Sequence, residues 1–125
     1  MKNILIFCGS PRKGGNSDLL CEQFMAGAQE AGHKVEKIFV QEHKIAPCLG
    51  CGYCQSHEGA CVQKDGMETM LEKMIKADVL VLASPVYFYS VSAQIKALMD
   101  RTFARYTEIK NKIMYYIIAA ADPDL

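Results

Sequence analysis

The chain has 125 residues, 50% of them hydrophobic, with 14 basic and 14 acidic side chains and a formal charge of zero. That length suits one globular domain around one core, and the balanced charge supplies no field for nucleic acid or an anionic membrane surface. The longest apolar run, Ile113 to Ala121, is nine residues, where a membrane-spanning helix needs about 20.

The apolar start, Ile4 to Cys8, is too short for a secretory signal and runs into a glycine loop. It predicts a first strand covered on both faces, as in a parallel sheet, and makes the cytoplasm the expected compartment. After the loop Gly9 to Ser17, a helix is predicted with Leu20, Phe24, Ala28 and Ala31 on one face and Gly32 at its end. Val35 to Val40 alternates charged and apolar residues, which suits a strand near the sheet edge. Residues 41–64 have no helical period and carry four of the six cysteines; a connection of that length predicts a functional insertion. Asp65-Gly-Met-Glu68 has capping-box spacing and opens a helix with Met67, Met70, Leu71, Met74 and Ile75 on one face. Asp78 to Ala83 predicts a buried strand and Ser84 to Ser90 a loop. Val91, Ile95, Leu98, Met99 and Phe103 mark a third helix, with Asp100 and Arg101 expected as a surface pair or dimer contact. Ile113 to Ala121 predicts a fourth, interior strand. This alternation argues for an α/β fold, one domain over residues 1–125 with a doubly wound parallel sheet and right-handed crossovers.

The loop between the first strand and the first helix directs backbone N–H groups at an anion. Gly14 is followed by Gly15 and Asn16, so the Lys and Ser/Thr of a nucleoside-triphosphate loop are absent. Pro11 occupies the second glycine position of a dinucleotide fingerprint. The loop suits one phosphomonoester, with hydroxyls from Ser10 and Ser17, the Asn16 amide, and charge from Arg12 and its neighbour Lys13. The competing reading is a plain turn with Asn16 or Ser17 as the helix cap.

Gly9-Ser-Pro-Arg-Lys-Gly-Gly-Asn-Ser17, taken with Ala83-Ser-Pro-Val-Tyr-Phe-Tyr-Ser-Val-Ser-Ala-Gln-Ile-Lys-Ala-Leu-Met-Asp-Arg101, resembles the flavodoxin-like NADPH-dependent FMN reductases. The cysteine loop is similar to that of the iron–sulfur flavoprotein branch. The resemblance runs through nearly all of the chain and implies a flavodoxin-like sheet of order 2-1-3-4-5, with the fifth strand missing from this sequence. It implies FMN as prosthetic group and NAD(P)H as co-substrate. By the same resemblance Ser10, Arg12, Asn16 and Ser17 hold the FMN phosphate, and Pro85, Val86, Tyr87 and Phe88 line the isoalloxazine ring. Tyr89 stands where many relatives have glycine. In that strand order the loops after strands one and three meet at the topological switch point, where ligands of such sheets bind.

Cys48-x-x-Cys51-x-x-Cys54, six residues and Cys61 place four thiolates within fourteen positions. The short spacing, with Gly50 and Gly52 inside it, wraps one corner of a cubane as in bacterial ferredoxins, and Gly59 lets the chain turn back with the fourth ligand. A [4Fe–4S] cluster, a four-thiolate zinc site, and thiols free or paired in a disulfide, as in many flavin reductases this chain resembles, all remain open. His33, His43 and His57 are expected at the surface, and Cys8 and Cys21 as small buried hydrophobes.

An apolar strand four residues before the last residue predicts an exposed hydrophobic edge. The expectation is a C-terminally truncated chain, or an edge covered by a second subunit in a homodimer or homotetramer. The expected function is FMN-dependent oxidoreduction, passing electrons from NAD(P)H through bound FMN to a quinone, flavin or protein acceptor. The alternatives are an electron carrier with FMN and [4Fe–4S] but no nicotinamide site of its own, and a thiol-based sensor without flavin.

Overall fold

In the computed structural model, which describes residues 1–121, β1 (Asn3–Cys8) lies between β2 (Lys34–Phe39) and β3 (Val79–Pro85), and β4 (Ile113–Ala119) flanks β3. All pairings are parallel, giving the order 2-1-3-4. Alternate residues of each inner strand feed two cores. Ile4, Ile6 and Cys8 of β1 and Val79, Val81 and Ala83 of β3 pack under α1 (Asn16–Glu30). Leu5, Phe7 and Leu80 face α2 (Met67–Lys76) and α3 (Ala93–Arg101), where Met67, Met70, Leu71, Met74, Ile95 and Leu98 close the core. One helix on one face and two on the other is the doubly wound arrangement expected from the alternation.

Several local expectations are corrected. The inward face of α1 is Ser17, Asp18 and Cys21, continued by Phe24, Met25 and Ala28, while Leu20 is 45% exposed. The small Cys21 side chain, fully buried, sets the phase by letting the helix approach β1. Ala31 is the exposed helix cap. Phe103 lies past α3 in a run of 3₁₀ turns, Thr102–Glu108, and is half exposed. The cap of α2 is Gly66; Asp65 sits one position earlier, although its carboxylate still accepts the Met67 N–H at 3.1 Å. Arg101 is no surface residue but is buried in the protein, whereas Asp100 stays outside and pairs with Lys96. The fourth strand is present as expected, and β4 lies at the edge of the described sheet with Ile113, Met114, Tyr115, Tyr116 and Ile118 exposed.

Candidate functional site

The loops after β1 and β3 meet at the carboxyl edge of the sheet. Gly9 donates its N–H to the Ala83 carbonyl at 2.8 Å, and Ser92, fully buried, donates its hydroxyl to the Gly9 carbonyl at 2.7 Å. Ser92 is also the cap of α3, accepting the Ile95 N–H, and its own N–H is held by the Ser84 hydroxyl at 2.8 Å. Gly9 is required here because a Cβ would stand 2.0 Å from Ile95 Cγ1. Ser92, which the sequence reading did not single out, ties the two loops into one unit.

α1 begins after Gly15 with no side-chain cap, so neither Asn16 nor Ser17 satisfies its first turn. Its unpaired N–H groups are left to attract an anion. Arg12 folds back over this point: a Cβ on Gly15 would lie 3.8 Å from the guanidinium carbon. Ser10 is buried and its hydroxyl accepts the Arg12 N–H at 3.1 Å, shaping the loop, while Ser17 is buried at the helix start and Asn16 is exposed beside it. The four residues expected at a phosphate are therefore gathered on one loop and helix end. Asp18, unmarked in the sequence, braces them: its carboxylate accepts the Gly14 N–H at 2.8 Å and the Lys37 ammonium at 2.6 Å. The Lys37 hydrogen bond leads in holding the Asp18 carboxyl below its usual range, against burial. Under the loop, Cys8 and Cys21 are fully buried; hydrogen bonding to Cys8 and burial drive the Cys21 thiol up, while the same hydrogen bond brings the Cys8 thiol down to about 7 against burial.

Across from this anion site, Pro85 and Val86 are half-buried and Val86 extends the sheet through its N–H to the Ala119 carbonyl at 2.8 Å. Tyr87 and Ser90 exchange two backbone hydrogen bonds, closing a tight turn whose centre is Phe88 at φ 47° and Tyr89 at φ 66°. These are left-handed conformations that glycine adopts freely and aromatic residues do not, which is a physical reason for the glycine that the resemblance implies at the Tyr89 position. The turn holds Tyr87 43%, Phe88 92% and Tyr89 80% exposed, an aromatic surface free to meet a planar ring. The donor set fits the phosphate of FMN, and the turn fits its ring.

The cysteine loop lies after β2 and is irregular apart from 3₁₀ turns at Val40–Glu42 and Tyr53–Ser56. All four cysteines are free and line one cavity of about 390 Å³, with Leu49, Tyr53, Phe103 and Arg101 also in its wall. Gly50, Gly52 and Gly59, at φ 67°, 74° and 85°, make the turns that bring the thiols together. Three sulfurs accept hydrogen bonds at 3.4 Å: Cys48 from the Gly50 amide, Cys54 from the Gln55 side chain and Cys61 from the Gln63 amide. Among the described residues no three His, Cys, Asp or Glu side chains converge on one ion-sized point. His57 is stacked on Tyr53 at 3.5 Å, away from ligand duty, and His43 is exposed; His33, half-buried, accepts the Lys2 N–H.

The neck of this loop is closed by a buried ion pair. Arg101 gives two parallel hydrogen bonds of 2.9 Å to Asp65 and one of 2.7 Å to the Ala46 carbonyl, and Asp65 accepts the Ala46 N–H at 2.9 Å. Ala46 and Asp65 flank the first and last cysteines, so the clasp gathers both ends of the insertion. A sequence signal for Arg101 existed: it stands three residues after Leu98, on the buried stripe of α3.

The same architecture occurs in an NAD(P)H:quinone oxidoreductase from Methanothermobacter marburgensis, with a TM-score of 0.80 and 21% identity over 98% of this chain and 66% of that one. An iron–sulfur flavoprotein of Methanocaldococcus jannaschii is 44% identical over 94 residues, covering 75% of this chain and 48% of the relative. Another, from Methanosarcina thermophila, is 37% identical over 108 residues, 84% of this chain and 56% of the relative. The chain thus spans about half the length of the curated relatives it matches. No helix among the described residues is long and apolar enough to cross a membrane. With the uncapped helix, the aromatic turn and the parallel sheet between them all in place, the family model for NADPH-dependent FMN reductase matches residues 2–124, and the chain belongs to that family.

Proposed function

We propose that this protein holds FMN across the two loops at the carboxyl edge of the sheet and passes electrons from NAD(P)H through it to a quinone, flavin or protein acceptor. The observation that carries this is the convergence, at one switch point, of an uncapped helix start overlain by Arg12 with a turn presenting Tyr87 and Phe88. FMN, when bound, takes an electron pair as hydride and can release electrons singly or in pairs. The chain's share is binding and orientation: Ser10, Arg12, Asn16, Ser17 and the first amides of α1 hold the phosphate, and Pro85 to Phe88 set the plane of the ring and exclude water from one side. No side-chain nucleophile is needed. The free thiols suit a reducing compartment, the cytoplasm. The exposed apolar strand β4 supports an assembly of more than one subunit.

The cavity ringed by Cys48, Cys51, Cys54 and Cys61 supports a second component, a [4Fe–4S] cluster. A cubane takes its thiolates at separate corners, whereas zinc draws them to one point, and the sulfurs here are spread around a space and accept N–H bonds. Anaerobic purification with a visible spectrum, iron and sulfide assays, and NADPH oxidation with a soluble quinone tests both parts. A flavin spectrum with NADPH turnover is expected. Flavin without iron removes the cluster alone, flavin reduced only through a partner protein replaces the reductase by a carrier, and zinc without flavin overturns both readings. Ser10→Ala/Arg12→Ala is expected to weaken FMN binding about tenfold or more; unchanged affinity refutes the phosphate assignment.

A further inference from the structure

Lys37 occupies an unexpected place. Val35 and Phe39, two residues to either side on β2, belong to the apolar cluster under α1, and Lys37 continues their row with its side chain only 17% exposed. Its ammonium reaches Asp18 in the first turn of α1 at 2.6 Å and also meets Glu22 one turn later. Asp18 is itself 12% exposed and spends its second oxygen on the Gly14 N–H, fixing the left-handed glycine at the tip of the anion loop. A buried ion pair at this point carries a desolvation cost, and a neutral acceptor in place of Asp18 would hold Gly14 equally well.

A carboxylate in a helix's first turn favours the helix but competes with any second anion for the same positive end. The other cations nearby make no hydrogen bond to Asp18: Lys13, 64% exposed and engaged by Glu42, favours the carboxylate only through space, and Arg12 lies over Gly15. Glu22 is half exposed and screened by water. We propose that Lys37 is a specificity-determining positioning residue: by neutralising the Asp18 brace it lets the α1 terminus accept a phosphomonoester, so the protein selects phosphorylated over unphosphorylated flavin. The proposal rests on the FMN reading above.

The test is equilibrium binding of FMN and of riboflavin, followed by quenching of flavin fluorescence, in the wild-type protein and in variants whose near-UV circular dichroism is unchanged. The wild type is expected to prefer FMN. Lys37→Met is expected to weaken FMN by about tenfold or more while riboflavin stays within about twofold, and Lys37→Met/Asp18→Asn to regain most of the FMN affinity, since the Asn oxygen still accepts from Gly14. Lys37→Arg, which keeps the charge, is expected to keep the preference, and Asp18→Asn alone to hold or raise it; these two carry the test where Lys37→Met does not fold. An unchanged FMN-to-riboflavin ratio in Lys37→Met, an equal loss of both flavins, or no recovery in the double variant overturns the proposal. Loss of the preference in Asp18→Asn or Lys37→Arg does so as well. Absence of flavin binding in the wild type sinks the FMN reading and this inference with it, whereas normal wild-type binding with any of the preceding results sinks the inference alone.

Discussion

Arg101 brings a full charge into the interior and finds its partners in a fixed fork, two bonds to Asp65 and one to a backbone carbonyl. Replacing it by Met strands the Asp65 carboxylate and is expected to destabilise the protein by about 3–5 kcal/mol, measured as a lower urea midpoint with unchanged slope. Lysine keeps the charge but not the fork, and an intermediate loss is expected. Burial pushes the Asp65 carboxyl up, but the Arg101 bonds and the amides of Ala46 and Met67 outweigh it and bring it down to about 2. Because the folded value lies below the ordinary one, the pair's contribution is complete above about pH 4 and is lost as pH falls through about 2. Urea midpoints at pH 7, 4 and 2.5 check this, with a shallower acid loss expected in Arg101→Met. The sequence hid the pair because Asp65 and Arg101 lie far apart along the chain and each has a local reading, cap and surface charge, that looks sufficient. Tyr89 is the opposite case. Its departure from the glycine that the resemblance implies was legible, and it sits in a left-handed turn at φ 66°; Tyr89→Gly is expected to change stability by no more than about 1 kcal/mol in a thermal melt, strain relief offsetting added chain entropy.

Among the elements, the inner strands were the most readable, since continuous apolar runs admit few alternatives when helices cover both faces. The phase of α1 was not, because two apolar stripes, one through Leu20 and one through Cys21, compete in its sequence and only the close approach to β1 chooses between them. The docking of α3 onto the β1 loop is equally tertiary in origin. Ser92 caps α3 and holds Gly9 at once, so Ser92→Ala is expected to cost about 1–2 kcal/mol in chemical denaturation. Gly9→Ala, which drives a methyl into Ile95, is expected to cost about 1–3 kcal/mol and to weaken FMN in the same preparation, as the two loops lose their common anchor.

At the scale of the molecule, a doubly wound parallel sheet was legible from the alternation of elements and the order 2-1-3-4 from the resemblance, while the spread of the four thiols around a space was not. Spacing states which cysteines are neighbours along the chain; the distance between their sulfurs is set by left-handed glycines and by a clasp remote in sequence. β4 presents apolar side chains on both faces, and a groove of about 290 Å³ runs beside it, lined by Met99, Tyr106, Met114 and Tyr116 among others. Were a second subunit to cover this strand, Tyr116→Lys, at a position 63% exposed, would leave the urea midpoint nearly unchanged and shift the mass in light scattering toward the monomer. The Asp65–Arg101–Ala46 clasp has a consequence for the life cycle of the protein. Its anchor points are nineteen positions apart, so the entropy of drawing that stretch into a ring is settled when the domain folds, independently of the thiols. Any cargo they took would enter a pouch whose mouth is already shut, without a fresh round of folding.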